Sequence, residues 1–290
     1  MTNLHLYTVA VAIWGSTWLA IKFQLGIVPP SVSVVWRFAL ASAILFVYAA
    51  ARRLPLRFAP REHAFMAMQG TTMFGVNYIG VYMSEQYLTS GLVAVISSML
   101  AFFNIAAMRA FYGAPLEART ILGSIIGIAG VALVFWPSIA DTPASSGEWL
   151  GVAFVLGAAM VASLGSVAAT RNSRAGIAVV PLNAFAMGYG AAIVAIIGAL
   201  SGETFAFDWS LPYIASLLYL SMFGSVLAFG AYLTLMARIG AQRAGYAAIA
   251  VPVLALLLST FFENLQWTAA MVLGLALCLG GNFLVLTRRS

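Results

Sequence analysis

The chain alternates between long apolar runs and short polar connections. A helix crosses about 30 Å of hydrocarbon with about 20 apolar residues, since each residue adds about 1.5 Å. Ten runs have this length. They predict an all-α polytopic membrane protein with ten transmembrane helices, at approximately 4–24, 32–51, 63–85, 88–110, 117–137, 149–170, 179–200, 211–235, 242–262 and 267–287.

The composition excludes an ordinary soluble protein. Of the 290 residues, 63% are hydrophobic and 8% charged, whereas soluble domains are about 25% charged. The only cysteine, Cys278, excludes an intrachain disulfide and a multi-cysteine metal site. We therefore expect lipid to cover most of the surface, and we expect neither metal nor cofactor.

Basic residues occur mainly in alternate connections. Twelve of the 14 follow this rule: Arg52, Arg53, Arg57, Arg61, Arg109, Arg119, Arg171, Arg174, Arg238, Arg243, Arg288 and Arg289. The opposite connections carry Glu85, Asp141, Glu148, Glu203, Asp208 and Glu263. Because positive loops stay inside, both termini are predicted to be cytoplasmic. The net charge of +6 then reflects topology, and nucleic acid is not an expected partner.

The sequence also repeats itself. Met73-Phe74-Gly75 recurs 149 residues later as Met222-Phe223-Gly224. At an offset of 151, five further matches pair Phe111, Ala118, Leu122, Gly123 and Gly130 with Phe262, Ala269, Leu273, Gly274 and Gly281. This pattern predicts five-helix repeats over 1–145 and 146–290. An odd number of crossings per repeat inverts the second copy, an architecture typical of alternating-access transporters with a site near mid-membrane. Duplication also builds static channels.

Particular motifs resemble a known family. The segment Trp14–Lys22 (WGSTWLAIK) resembles the first helix of drug/metabolite transporters. Met222-Phe223-Gly224-Ser225, Gly240-Ala241, Pro252, Glu263, Gly274 and Gly281 resemble the second repeat of the EamA branch of that superfamily. Within the branch, the chain resembles inner-membrane exporters of aromatic amino acids. The resemblance implies ten helices, cytoplasmic termini and efflux of a small organic metabolite through a central cavity.

The two halves differ at several positions. Ala101 stands opposite Pro252, Gly188 opposite Arg37, and Tyr112 opposite Glu263. Roles therefore cannot be copied from one half to the other.

A mid-membrane site for a zwitterion needs aromatic walls and a few polar groups, because amine and carboxylate must be hydrogen-bonded once they leave water. Helical spacing places such residues in stripes. The predicted substrate-binding residues are Trp14, Trp18, Phe74, Asn77, Tyr78, Tyr82, Ser97, Asn104, Ser163, Asn183 and Tyr246. Each type has a structural alternative: interfacial belts for Trp and Tyr, and helix packing for Ser.

Three charged residues are candidates for gating or charge pairing. Arg37 lies about five residues inside the second span, and an intramembrane charge predicts function. It can capture a substrate carboxylate or pair with Glu85 or Glu263 as an outer gate. Snorkelling to the interface is the structural alternative.

Two backbone features are also informative. Pro252 lies deep inside its span and is predicted to act as a hinge. Gly123, Gly127 and Gly130 form a close-packing face. Such a face serves either helix packing within a monomer or a weak homodimer, and both remain open.

The driving force for transport can be predicted from the acidic residues and nucleotide-binding motifs of the sequence. The acidic residues lie at or near span ends and no phosphate loop is present, so neither a buried proton relay nor ATP hydrolysis is predicted. The chain is expected to be a facilitative exporter of amino acids, aromatic and neutral, and related metabolites. It is not expected to be an enzyme, because no catalytic constellation is visible. A proton-coupled drug/metabolite antiporter and a small-solute pore remain alternatives.

Overall fold

The structure, a computed structural model, describes residues 1–136, 147–240 and 244–286, and these ranges contain helices and no strand. The helices are α1 (Asn3–Lys22), α2 (Pro30–Ala51), α3 (Pro60–Gln69), α4 (Asn77–Ser84), α5 (Ser90–Ser97), α6 (Leu100–Tyr112), α7 (Ala118–Val134), α8 (Glu148–Arg174), α9 (Val179–Leu200), α10 (Leu211–Leu218), α11 (Ala228–Ile239), α12 (Ala247–Phe262) and α13 (Ala269–Leu286). Two π-helical segments, π1 (Gly70–Val76) and π2 (Tyr219–Leu227), join α3 to α4 and α10 to α11.

Each of the ten predicted spans overlaps a helix in the described ranges. Seven segments are long and apolar enough to cross a membrane: Asn3–Lys22, Pro30–Ala51, Ser90–Tyr112, Glu148–Arg174, Val179–Leu200, Leu211–Met236 and Ala269–Leu286. Ala118–Val134 and Ile249–Phe262 are apolar but shorter. The polytopic, all-helical prediction is therefore confirmed, whereas the count of ten crossings and their inversion stay predictions.

Some predicted spans have internal structure that periodicity did not indicate. The span predicted at 88–110 is two helices, α5 and α6, separated by a turn at Ser98 and Met99. The spans predicted at 63–85 and 211–235 contain π1 and π2. Within π1, Thr71 and Thr72 donate to carbonyls four residues back, at 2.8 and 2.7 Å. Such bonds compete with the backbone ladder.

Some sequence predictions fall outside the described residues. The boundary predicted between residues 145 and 146 is one of them. The others are four charged residues on which the predicted topology partly rests, Asp141, Arg243, Arg288 and Arg289, and one residue of the motifs that resemble the EamA branch, Ala241.

By packing, the chain divides into two compact units. Unit 1 comprises Met1–Leu19, Ser84–Leu156 and Ala228–Ser290, and unit 2 comprises Ala20–Met83 and Gly157–Leu227. Each unit thus contains helices from both halves of the sequence.

The core of unit 1 contains a glycine seam between α7 and α13. A Cβ atom on Gly130 would lie 2.6 Å from the carbonyl oxygen of Gly274, and one on Gly281 would lie 2.6 Å from the backbone nitrogen of Gly127. Glycine is therefore required for the helices to approach this closely. The close-packing face predicted around Gly123 and Gly127 accordingly packs within the chain.

Unit 2 is built around α2, α9 and the two π segments. Ser42 of α2 donates to the carbonyl of Ala184 in α9 at 2.7 Å. A Cβ atom on Gly70 of π1 would clash with the carbonyl group of Ala186, also in α9. On the other side, Ser221 of π2 donates to the carbonyl of Arg37 at 3.0 Å. The two π segments therefore pack closely against helices from the opposite half of the sequence.

The π segments also correspond in sequence. They begin at residues 70 and 219, which are 149 apart. This is the offset of the repeated Met-Phe-Gly motif, and both copies of the motif lie inside a π segment. Because π-helical turns are rare and occur often at functional sites, unit 2 is the candidate location of the functional site.

Candidate functional site

Arg37 is buried in unit 2, with 2% of its surface exposed. Its guanidinium carbon lies 4.6 Å from the ring centroid of Tyr78 and 5.1 Å from that of Phe38. Phe38 in turn packs 4.7 Å from Tyr78 and 5.4 Å from Phe74, centroid to centroid. The cation thus lies in an aromatic pocket, where cation–π attraction stabilises it.

The backbone around Arg37 is held from two sides. The hydroxyl of Ser221 in π2 is fully buried and donates to the Arg37 carbonyl. Phe74 in π1 and Tyr78 at the start of α4 contribute two of the aromatic rings of this pocket. Both π segments therefore position the residues around one intramembrane cation.

The carboxylates of unit 2 have other partners. Glu62 pairs with Arg171, Glu203 accepts from the hydroxyl of Ser31, and Asp208 accepts from the backbone and hydroxyl of Ser210. These three are the only acidic residues in the unit. Among the described residues of its own unit, no carboxylate therefore pairs with Arg37. In the described ranges, its buried Nε and Nη1 atoms have no hydrogen-bond partner.

A second polar cluster lies one turn along the same helices. Tyr82 is fully buried and donates to Oε1 of Gln24 at 2.5 Å. The hydroxyl of Ser33 lies 3.0 Å from the hydroxyl of Tyr213 and donates to the Gln24 carbonyl at 3.4 Å. Within the described ranges, the amide Nε2 of Gln24 is buried without a partner.

The two clusters share helices α2 and α4. Ser33 and Arg37 are four residues apart on α2, and Tyr78 and Tyr82 are four apart on α4, so each pair occupies one helix face about 6 Å apart along the axis. Hereafter "the donor column" means Gln24, Ser33, Arg37, Tyr78 and Tyr82. All of its residues are buried except Tyr78, which is half-buried.

The structure thus brings together four residues predicted from sequence, Arg37, Phe74, Tyr78 and Tyr82. Three other predicted residues of unit 2 are not part of the donor column. Asn77 is half-buried and donates to the Met73 carbonyl of its own turn at 3.1 Å. Ser163 donates to a carbonyl of its own helix at 2.7 Å. Asn183 is buried near the start of α9.

Unit 1 holds the remaining aromatic candidates. Trp14 packs against Phe229 and Tyr232, with centroids 5.2 and 5.1 Å away. Trp18, one turn later, is half-buried. Tyr246 lines an apolar groove of about 470 Å³ with Tyr7 and Phe283 among its walls. The Tyr7 hydroxyl also donates to the Tyr246 carbonyl at 3.3 Å.

Ser97 and Asn104 in unit 1 are both half-buried. The Ser97 hydroxyl and the Asn104 Oδ1 are enclosed and, in the described part of the chain, have no hydrogen-bond partner.

The predicted gating carboxylates both belong to unit 1. Glu85 is 1% exposed, just after α4. Glu263 accepts hydrogen bonds from the backbone nitrogen of Ser90, at 3.0 and 3.1 Å, and from the hydroxyl of Ser259 at 2.7 Å. It therefore caps the start of α5 from the end of α12. Its pairing with Arg37 stays a prediction, as does the hinge at Pro252, which is buried inside α12.

A polar cluster lies at the predicted cytoplasmic end of unit 2. Arg171 donates to Glu62 and lies 4.0 Å from the ring centroid of Phe65. The hydrogen bond from Arg171 holds the pKa of the Glu62 carboxyl below its ordinary value. Beside it, the ring nitrogen Nδ1 of His63 lies 2.9 Å from the hydroxyl of Tyr189. This cluster joins α3 to α8 and α9.

Several residues of the site were missed from sequence. Phe38, Ser33, Tyr213 and Ser221 look like ordinary apolar or packing residues in an apolar chain. Of the missed residues, Gln24 is the one that the sequence could have indicated. It is an amide at the end of the first span, and burying an amide is costly unless it is hydrogen-bonded. In the described ranges, no group of three His, Cys, Asp or Glu side chains is placed to hold a metal ion.

The chain matches a transporter family and several curated proteins along almost its whole length. A sequence profile of the EamA-like transporter family matches twice, over residues 4–136 and 149–287. The chain is 23% identical to Protein PagO of Salmonella typhimurium, covering 96% of this chain and 90% of PagO. It is 27% identical to the uncharacterized inner membrane transporter YedA of Escherichia coli K12, covering 92% of this chain and 86% of YedA.

A solved crystal structure has the same fold. It superposes with a TM-score of 0.70 over 97% of this chain and 95% of that chain, at 17% sequence identity. The profile matches repeat the same helical family over both halves of the sequence. Together with the polytopic helical structure, these matches assign a membrane transporter, and the family is one of transporters rather than enzymes. The chain belongs to the EamA-like transporter family.

Proposed function

We propose that this transporter exports amino acids, aromatic and neutral, and related small metabolites across the bacterial inner membrane. The observation that carries the proposal is the buried Arg37, which lies beside the rings of Phe38 and Tyr78, with Phe74 packed against Phe38. A cation beside aromatic rings provides an anchor for a carboxylate and an apolar wall for a side chain. The family match supports transport, and the site supports this substrate class.

Alternating access is the proposed mechanism. The doubled family match and the π segments at an offset of 149 support two related halves. In transporters built from inverted repeats, the halves exchange conformations around a central site. Pro252 in α12 is the proposed hinge, since a proline removes a backbone hydrogen bond at its position. The positive connections support cytoplasmic termini.

Transport is proposed to be facilitative, driven by the metabolite gradient. One observation favours a second candidate, proton-coupled antiport. Glu85 is almost completely buried, and a buried carboxylate is the usual proton carrier in such exchangers. The sequence placed it at a span end and did not indicate this burial.

Counterflow in liposomes tests the proposal. Purified protein is reconstituted, and entry of labelled phenylalanine, leucine, glutamate and lysine is measured against an excess of unlabelled amino acid inside. Saturable exchange of aromatic and neutral amino acids that a protonophore does not change supports a facilitative carrier. Exchange abolished by the protonophore and by Glu85→Gln supports the antiporter. Solute flux without counterflow identifies a pore and contradicts alternating access.

A further inference from the structure

The orphaned polar atoms of unit 2 lie in the donor column and share one chemical property. Among the unit's described residues, the buried side-chain nitrogen and oxygen atoms without a hydrogen-bond partner are Nε2 of Gln24 and Nε and Nη1 of Arg37. All three are N–H donors, and a guanidinium accepts no hydrogen bond. A buried donor left without an acceptor costs free energy. The donor column therefore calls for a ligand that brings acceptor oxygens.

The acceptor groups nearby are already used. The Oε1 atom of Gln24 holds the Tyr82 hydroxyl at 2.5 Å, which fixes the amide so that its NH₂ group is the free end. The Arg37 carbonyl holds Ser221, and the acids of the unit have other partners. Protein groups of this unit thus hold the Gln24 side chain and the Arg37 backbone, and no described residue accepts a hydrogen bond from Nε2 of Gln24 or from Nε and Nη1 of Arg37.

The geometry of Arg37 favours an anion. Its guanidinium carbon lies over the Tyr78 ring, 4.6 Å from the centroid, and its Nε and Nη1 atoms are buried without a hydrogen-bond partner among the described residues. The planar guanidinium presents its N–H groups in a fork that matches the two oxygens of a carboxylate. The intramembrane charge also has to be neutralised, because an isolated buried cation is unfavourable.

Resting on the proposed transport function, we propose that Arg37 and Gln24 form the anion-binding half of the substrate site. The substrate is then a carboxylate-bearing molecule. Its carboxylate binds the edge of Arg37, and a second acceptor oxygen, one helical turn or about 6 Å away, binds the amide of Gln24. The aromatic residues Phe38, Phe74 and Tyr78 surround the adjoining apolar part.

A matched ligand pair isolates the carboxylate. 3-Phenylpropanoate and 3-phenylpropanamide differ only in replacing the carboxylate with a neutral amide. Their affinities for the purified, detergent-solubilised full chain are measured by thermal stabilisation and isothermal titration. We expect the wild type to bind the carboxylate about 10- to 100-fold more tightly, the range of one charge-assisted hydrogen-bonded contact. Equal affinity for the two ligands, or no binding of the carboxylate, overturns the proposal.

Variants assign the effect to the two residues. Gln24→Glu keeps the acceptor for Tyr82 and replaces the free donor with an acceptor, so carboxylate affinity should fall about 10-fold or more. Arg37→Gln should remove the preference for the carboxylate and leave amide binding within about 2-fold. Arg37→Lys keeps the charge without the planar fork. It should keep part of the preference, and it provides the test if Arg37→Gln does not purify as a folded protein.

The controls are Gln69→Glu and Arg52→Gln. Gln69 is a buried glutamine of the same unit that accepts from Asn172 at 3.0 Å, and Arg52 is exposed. Both control variants should keep the carboxylate preference. A preference lost equally in Gln69→Glu and Gln24→Glu overturns the specific role of Gln24.

The two proposals fail in different ways. Carboxylate-selective binding without any counterflow keeps the site and contradicts the transport mechanism. Saturable counterflow of molecules that lack a carboxylate, with no loss in Arg37→Gln, keeps the carrier and overturns the anion site.

Discussion

The glycine seam between α7 and α13 allows a quantitative prediction. In Gly130→Ala, the new Cβ would lie 2.6 Å from the carbonyl oxygen of Gly274 and would also clash with the backbone nitrogen of Cys278. Both neighbours are backbone atoms and cannot rotate away. Ordinary contact begins near 3.4 Å, so the helices must separate locally by about 1 Å. Overpacking of this kind costs about 1–3 kcal/mol of unfolding free energy.

The matched control is Gly280→Ala, a change of the same kind on α13. A Cβ on Gly280 meets no atom within 4 Å. Alanine is also the better helix former, so this variant should range from neutral to about 1 kcal/mol more stable. The contrast between the two variants therefore measures packing rather than helix propensity.

A double variant tests the geometry further. The Cβ of Gly274→Ala would lie 2.6 Å from the carbonyl oxygen of Gly130, the reciprocal of the first contact. Once one alanine has separated the helices, the second meets a wider gap. The cost of the double variant should therefore be smaller than the sum of the single costs.

The assay is equilibrium unfolding in mixed detergent micelles, titrated with sodium dodecyl sulfate and followed by tryptophan fluorescence and circular dichroism. Coincident transitions by the two probes justify a two-state free energy. If the unfolding free energy of Gly130→Ala equals that of Gly280→Ala, close packing at the glycine seam is refuted. Strict additivity of Gly130→Ala and Gly274→Ala would refute the shared contact.

Three further predictions follow from single residues. Pro252→Ala should change the counterflow rate more than the melting temperature, because the hinge is proposed to act in exchange; loss of folded protein instead would indicate a structural role. Glu263→Ala should lower unfolding free energy by about 1–3 kcal/mol, since the backbone nitrogen of Ser90 loses its acceptor; an unchanged unfolding curve would contradict the cap. The depressed pKa of Glu62 means that its pairing with Arg171 stabilises the protein above about pH 4.5, the ordinary value. The melting-temperature advantage of wild type over Glu62→Gln should therefore disappear as the pH falls through that depressed pKa, and an advantage that persists in acid would exclude this linkage.

The helices were largely predictable because an apolar run of about 20 residues indicates a helix that is solvated by lipid. The predicted 179–200 coincides with α9 (Val179–Leu200), and the prediction of 32–51 differs from α2 (Pro30–Ala51) by two residues at its start. The repeated Met-Phe-Gly motif was visible in sequence, but its π-helical conformation was not. That conformation depends on hydroxyl bonds such as the one from Thr72, and on close backbone contacts such as that of Gly70 with Ala186.

The candidate site was predictable only in part. A functional role for Arg37 was predictable because a charge inside an apolar span is energetically costly and therefore rare unless it has a function. Tyr78 and Tyr82 were placed on one stripe by helical spacing. The partner of Tyr82 was not evident, since Gln24 is 58 residues away in sequence.

The sequence by itself determined that the chain is a helical membrane protein, which segments are helical, and that one cation lies inside a span. Only the tertiary structure decided that Arg37 lies against Tyr78 and that Gln24 accepts from Tyr82, with an amide nitrogen that has no partner among the described residues. The physical reason is the solvent. In water, polarity distinguishes the buried face of a helix from the exposed one, but lipid is as apolar as a protein core. The apolar pattern therefore locates the helices without showing which faces meet.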